Sequence, residues 1–149
     1  MANNYDCLKL ENQLCFPLYA VSKEIVRKYT PFLEELDLTY TQYITLMVLW
    51  EKKTMNIKSL GKCIYLDSGT LTPLLKKLQA KGYILRQRDP QDERNVIVSI
   101  TPEGEALRDK ALAIPGKMCQ CVPLDLKEAE NLKELLYRML ESFDDCSTK

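Results

Sequence analysis

The stretch LDSGTLTPLLKKLQAKGYI constrains this chain more than any other. Leu71, Leu74, Leu75 and Leu78 fall at i, i+3, i+4 and i+7, the spacing of one buried helix face. Asp67 or Ser68 supplies the N-cap and Gly82 ends the helix. The opposite face carries Ser68, Thr70, Thr72, Lys76 and Lys77. Small hydroxyl residues in the first turn suit close approach to a surface, and lysines further along suit phosphate contact.

The segments on either side give that helix a role. Upstream, a short helix is expected over 57–64, burying Leu60, Ile64 and Cys63. Before it, Thr39, Tyr40 and Thr41 offer hydroxyl caps for a helix over 42–51. Helix, short helix, turn, then a helix with a small polar first turn is the helix-turn-helix order. Downstream, 83–88 and the β-branched run 96–100 flank the polar loop DPQDERN, which reads as a hairpin. A basic hairpin directly after a helix-turn-helix is a wing. Arg86 lies on its first strand and Arg94 near its tip, where a guanidinium can enter a minor groove. Asp92 beside it is expected to orient Arg94, because its charge opposes phosphate.

Charge is distributed accordingly. The formal net charge is zero, yet residues 52–94 hold ten basic and four acidic side chains. A basic middle between acidic ends is a footprint for a polyanion at one place. The 149 residues suffice for one domain with a core. The polar start MANNYDCLKLEN does not read as a signal peptide, and no apolar run approaches membrane-spanning length, so a cytoplasmic location without membrane partners is expected. Six cysteines in such a setting read as free or redox-active thiols rather than a disulfide framework. The absence of histidine and of any CxxC pair argues against a metal site, and no cofactor is expected.

The termini read as dimerisation elements. Residues 10–29 are expected to form an amphipathic helix with Cys15 in its first half and Tyr19 one turn on. Pro17 is expected to remove a hydrogen bond and bend this helix beside the thiol, and Pro31 to interrupt or restart it. By itself a cysteine on an apolar helix face is a small buried hydrophobe. Thr101-Pro102 starts a helix that Pro115-Gly116 stops. Asp125 and Glu128 begin a last helix, with Leu132, Leu135, Leu136, Met139, Leu140 and Phe143 on one stripe. Long apolar helices at both ends of an already compact middle call for a partner, which pairing across a two-fold axis supplies.

The span LDSGTLTPLLKKL followed by DERNVIVSITPEG resembles the MarR-family winged helix, and LENQLCFPLYA resembles its OhrR group of organic-hydroperoxide sensors. The resemblance covers nearly the whole chain. It implies a mainly α fold with a small β-hairpin wing, a single MarR-type domain over 1–149. Residues 1–38 and 102–149 would be the dimerisation helices, and 39–101 the winged helix-turn-helix lobe. It implies a homodimeric repressor, not an enzyme, bound to a palindromic operator in double-stranded DNA. Ser68, Thr70, Thr72 and Pro73 would meet the major groove, Lys76 and Lys77 phosphates, and Arg94 the minor groove. Cys15 matches the peroxide-reactive cysteine, and Tyr29 and Tyr40 match tyrosines that hydrogen-bond that sulfur from the partner subunit, with Tyr19 a third nearby. Phenol donation favours the thiolate, the form that attacks a peroxide. Phe16 and Trp50 are expected as apolar neighbours favouring an organic peroxide. Some family members add a resolving cysteine before the last helix, where Cys119 and Cys121 both lie; Cys119 is preferred. Alternatives are a MarR-type regulator released by a small phenolic ligand, a thiol-based global or virulence regulator, and a small thiol peroxidase, in which the basic winged segment has no use.

Overall fold

The computed structural model describes residues 4–146, with side chains as far as residue 144. Single 3-10 turns at Asp6–Leu8 and Leu10–Asn12 precede α1 (Cys15–Glu34). The first helix therefore begins at Cys15 and not near residue 10. Pro17 explains the shift: in a longer helix its ring would strike the Gln13 carbonyl. Starting at Cys15 puts Pro17 in the first turn, where backbone N–H groups have no helical partner. The expected Pro17 bend is thus absent. Upstream, the Asn12 and Gln13 side-chain amides donate to the Asp6 carbonyl at 2.7 Å and the Cys7 carbonyl at 2.5 Å, which holds those residues in separate turns. Pro31 does not break α1 either. It forfeits one bond to the Arg27 carbonyl, while buried Leu33 anchors the last turn to the core.

A capping box starts α2 (Tyr40–Lys52). The Gln42 N–H donates to Thr39 Oγ1 at 3.3 Å and the Thr39 N–H to Gln42 Oε1 at 3.1 Å. β1 (Thr54–Asn56) leads into α3 (Ile57–Ile64), capped by Asn56. The inward stripe of α3 is Ile57, Leu60, Gly61 and Ile64, of which Leu60 and Gly61 are buried and Ile57 and Ile64 half-buried. Cys63 lies off that stripe and is exposed, contrary to expectation. α4 (Ser68–Ala80) takes Asp67 as its N-cap, and its four leucines are all buried. Gly61 permits the tight turn between α3 and α4, because a Cβ there would lie 2.8 Å from the Leu66 carbonyl oxygen. Gly82, at φ 79°, turns the chain out of α4.

β2 (Ile84–Arg88) and β3 (Val96–Ile100) form the wing, and β1 adds a third antiparallel strand in the order β1-β3-β2. Thr101 caps α5 (Pro102–Ala111) and also donates to the Gly82 carbonyl at 2.6 Å, joining wing, α4 and α5. Pro115 and Gly116 do not form the expected stop. They lie in the first turn of α6 (Ile114–Cys121), where proline is favoured. Ile114 and Met118 anchor α6 to the core, and the helix packs against α1. α7 (Leu126–Cys146) opens with reciprocal Asp125–Glu128 bonds, both 2.9 Å. Its stripe of Leu132, Leu135, Leu136, Met139 and Phe143 stays open to solvent, as do Leu14, Phe16 and Tyr19 at the start of α1. Among the described residues, no helix is long and apolar enough to cross a membrane.

Candidate redox sensor and nucleic-acid interface

Cys15 is the first residue of α1 and is exposed. Its sulfur sits at the positive end of the helix dipole, where an anion is favoured. Leu14, in the N-cap position, contributes no side-chain cap. Tyr19, one turn on, is exposed and carries the Lys23 ammonium 5.0 Å from its ring centroid.

Tyr29 and Tyr40 meet at the junction of α1 and α2, with ring centroids 4.9 Å apart and planes inclined by 48°. Tyr43 adds a third ring 5.9 Å from Tyr29. Burial, then the charges of Tyr40, Tyr43 and Cys119, push the Tyr29 phenol up to about 12. Burial also raises Tyr40. Both are therefore protonated donors at neutral pH. The influence of Cys119 places its sulfur within electrostatic reach of Tyr29, as expected from the packing of α6 on α1. Cys121 is turned about 200° away around α6.

Within one chain this cluster is remote from Cys15. Tyr29 lies about 21 Å further along the same helix at 1.5 Å per residue. Tyr29 and Tyr40 come together, with Cys119 on the helix that packs against α1; Cys15 and Tyr19 stand at the other end of α1. Trp50 is no neighbour of the thiol. It is buried beneath Tyr43, and its indole N–H donates to the Gly104 carbonyl at 2.9 Å, bracing the base of the wing.

Along α4, Ser68, Thr70, Pro73, Lys76 and Lys77 are exposed, and Thr72 is half-buried. At the wing tip, Arg94 is 90% exposed and is held by Asp92 through contacts of 3.0 and 3.4 Å. The hydrogen bonds from Arg94 hold Asp92 below the usual carboxylate range. Arg86 donates to Gln79 Oε1 at 2.8 Å, so it also ties the wing to the end of α4. Between α3, the start of α4 and the wing lies a cleft of about 530 Å³ with Lys58, Ser68 and Arg94 on its walls. Lys58 was not singled out in the sequence, because only the fold brings it opposite Arg94. Among the described residues, no group of three His, Cys, Asp or Glu side chains is placed to hold a metal.

The family model for SarA/Rot transcriptional regulators matches residues 27–111. The chain is 46% identical over 142 residues to the organic hydroperoxide resistance transcriptional regulator of Bacillus subtilis (strain 168), covering 95% of this chain and 97% of that protein. It belongs to the MarR family of winged helix-turn-helix transcriptional regulators. This MarR-family chain is also 44% identical over 140 residues to the HTH-type transcriptional regulator SarZ of Staphylococcus aureus (strain USA300), covering 94% of this chain and 95% of SarZ. In structure it is similar to reduced AbfR bound to DNA, AbfR being a Staphylococcus epidermidis protein. The TM-score is 0.79 and the identity 30%, over 97% of this chain and 99% of AbfR. The first turn of α4 and the Arg94 tip are both exposed in this MarR-family fold.

Proposed function

We propose that this MarR-family regulator is a homodimeric, cytoplasmic, DNA-binding repressor that releases its operator when Cys15 is oxidised by an organic hydroperoxide. Residues 39–101 form the reading lobe in this account, and 1–38 and 102–149 the dimer helices. The observation that carries the reading is the separation within one chain. The phenol pair Tyr29–Tyr40 lies about 21 Å along α1 from its own Cys15. The pair serves Cys15 of the partner subunit. The open apolar stripes of α7 and the start of α1 supply the dimer contact.

In this account the partner's Cys15 thiolate attacks the outer peroxide oxygen of ROOH, breaking the O–O bond. Sulfur is oxidised to the sulfenic acid, and the peroxide is reduced and leaves as ROH after taking a proton. The Tyr29 and Tyr40 phenols donate to the thiolate. The Cys119 thiol then attacks the sulfenic sulfur, forming an intersubunit disulfide and releasing water. The electrostatic influence of Cys119 on Tyr29, which Cys121 lacks, supports it over Cys121. Ser68, Thr70, Thr72 and Pro73 face the major groove, Lys76 and Lys77 the phosphates, Arg94 the minor groove, and Arg86 the wing backbone contact.

Similarity to SarZ supports a second reading, a thiol-based global regulator with the same sensor and a wider set of target genes. A gel shift on the promoter DNA upstream of the protein's own gene, with and without cumene hydroperoxide, tests the proposal. Release is expected for the native protein and lost in Cys15→Ser. Release that persists in Cys15→Ser contradicts it.

A further inference from the structure

Tyr65 occupies an unusual place. It is the C-cap of α3, in the turn between the two helices of the reading head, and its backbone is left-handed at φ 54° and ψ 41°. Glycine or asparagine is the usual residue at such a cap, because a Cβ is disfavoured there. The large side chain is retained, and it reaches across the molecule: the Tyr65 hydroxyl donates to Asp144 Oδ2 of α7 at 3.1 Å. Glu141 and Tyr137 of the same helix also act electrostatically on this phenol. Tyr137, Glu141 and Asp144 follow i, i+4 and i+7, so one stripe of α7 addresses the turn. Burial, followed by the bond to Asp144 and the charges of Asp144 and Glu141, raises the phenol above its ordinary value and keeps it a donor.

The apolar stripe of α7, Leu132, Leu135, Leu136, Met139 and Phe143, lies roughly 150° around the helix from this polar stripe. One helix thus presents an apolar face for a second copy and, on nearly its opposite side, a polar face to the reading head.

We infer that Tyr65 is a positioning residue whose contact with Asp144 ties the helix-turn-helix to α7, so that the dimer helices set the distance between the two reading heads. This inference rests on the repressor reading above and adds the link by which a rearrangement of the dimer helices reaches the DNA-reading turn. When α7 holds Tyr65, the first turn of α4, which starts three residues later at Ser68, is fixed relative to the dimer axis. When α7 shifts, the turn is released.

The test uses the full-length reduced dimer and the promoter duplex upstream of its own gene. Tyr65→Phe removes only the hydroxyl of a side chain that is 53% exposed, so the fold is retained. Tyr65→Phe and Asp144→Ala should each weaken reduced-state binding by about fivefold, and the double variant should be no weaker than the poorer single variant. Asp144→Asn, which keeps an acceptor, should recover most of the loss. Without DNA, amide hydrogen exchange over 66–69 should quicken in Tyr65→Phe and Asp144→Ala alike. Three results would overturn the inference: binding lost in Tyr65→Phe but native in Asp144→Ala, losses that multiply in the double variant, or unchanged exchange in both single variants. Failure of the native protein to release DNA on oxidation would instead count against the repressor-sensor reading, since this test needs no peroxide.

Discussion

The Tyr29 and Tyr40 rings meet at 4.9 Å, tilted by 48°, while the Cys15 they are proposed to serve lies about 21 Å away on their own chain. Under the proposed function, a donor pair at one end of α1 and a thiol at the other would make each subunit half a sensor. Two copies arranged antiparallel along α1 would complete two equivalent sites, which is the symmetry of an isologous dimer.

Tyr29→Phe and Tyr40→Phe should slow thiol oxidation by organic hydroperoxide, with the reduced protein still binding DNA. Stopped-flow loss of free thiol measures the first and a gel shift the second. Removing one donor to a developing or existing anion should lower the rate by about tenfold. Unchanged rates in both variants would separate the phenols from the chemistry.

The same phenols predict an alkaline stability limb. Tyr29 ionises at about 12 in the fold against an ordinary 10.0. A raised folded value contributes stability that is complete below pH 10 and lost as pH rises through about 12. Urea midpoints measured across that range should fall less steeply for Tyr29→Phe than for the native protein.

Gly104→Ala should be among the most damaging small substitutions. A Cβ at this position would collide with the Tyr83 backbone carbonyl, and the Gly104 carbonyl is itself held by the Trp50 indole. Backbone does not yield cheaply, so a loss of about 2 kcal/mol or more is expected in chemical denaturation.

Much of the reading lobe was legible because its signals are local. The leucine stripe of α4 and the caps at Thr39, Asp67, Thr101 and Asp125 each depend on residues within one or two turns. The three-residue strand β1 carries too little pattern to be seen, and it exists because β3 offers an edge. Prolines misled three times, twice for one physical reason; the third, Pro31, sits inside α1 without ending it. Pro17 and Pro115 are helix breakers only in a helix interior, and both lie in first turns. The error at Pro115 also concealed α6, without which Cys119 and Cys121 could not be told apart by helix phase. The packing of α6 on α1 and the Tyr65–Asp144 bond join residues far apart in sequence, and no local pattern encodes them.

Pro17→Ala follows from its first-turn position. It should change stability by less than about 1 kcal/mol at fixed protein concentration, through unfolded-chain entropy alone. A gain of about 3 kcal/mol would mean that Pro17 interrupts a longer helix after all.

Arg94→Ala and Lys76→Ala should weaken DNA binding in different ways. Loss of Arg94 should cost about 1–3 kcal/mol, and loss of Lys76 should reduce the slope of log affinity against log salt by about one. Binding titrations at several salt concentrations distinguish the two.

The most direct test of the sensor is mass mapping of every cysteine after one equivalent of cumene hydroperoxide, on dimers mixed from light and 15N-labelled chains. A sensor shared between subunits predicts peptides joining Cys15 to Cys119 with one light and one heavy half in mixed dimers. Links confined to a single chain's mass, or a Cys15 that stays a free thiol while the operator is released, would contradict it.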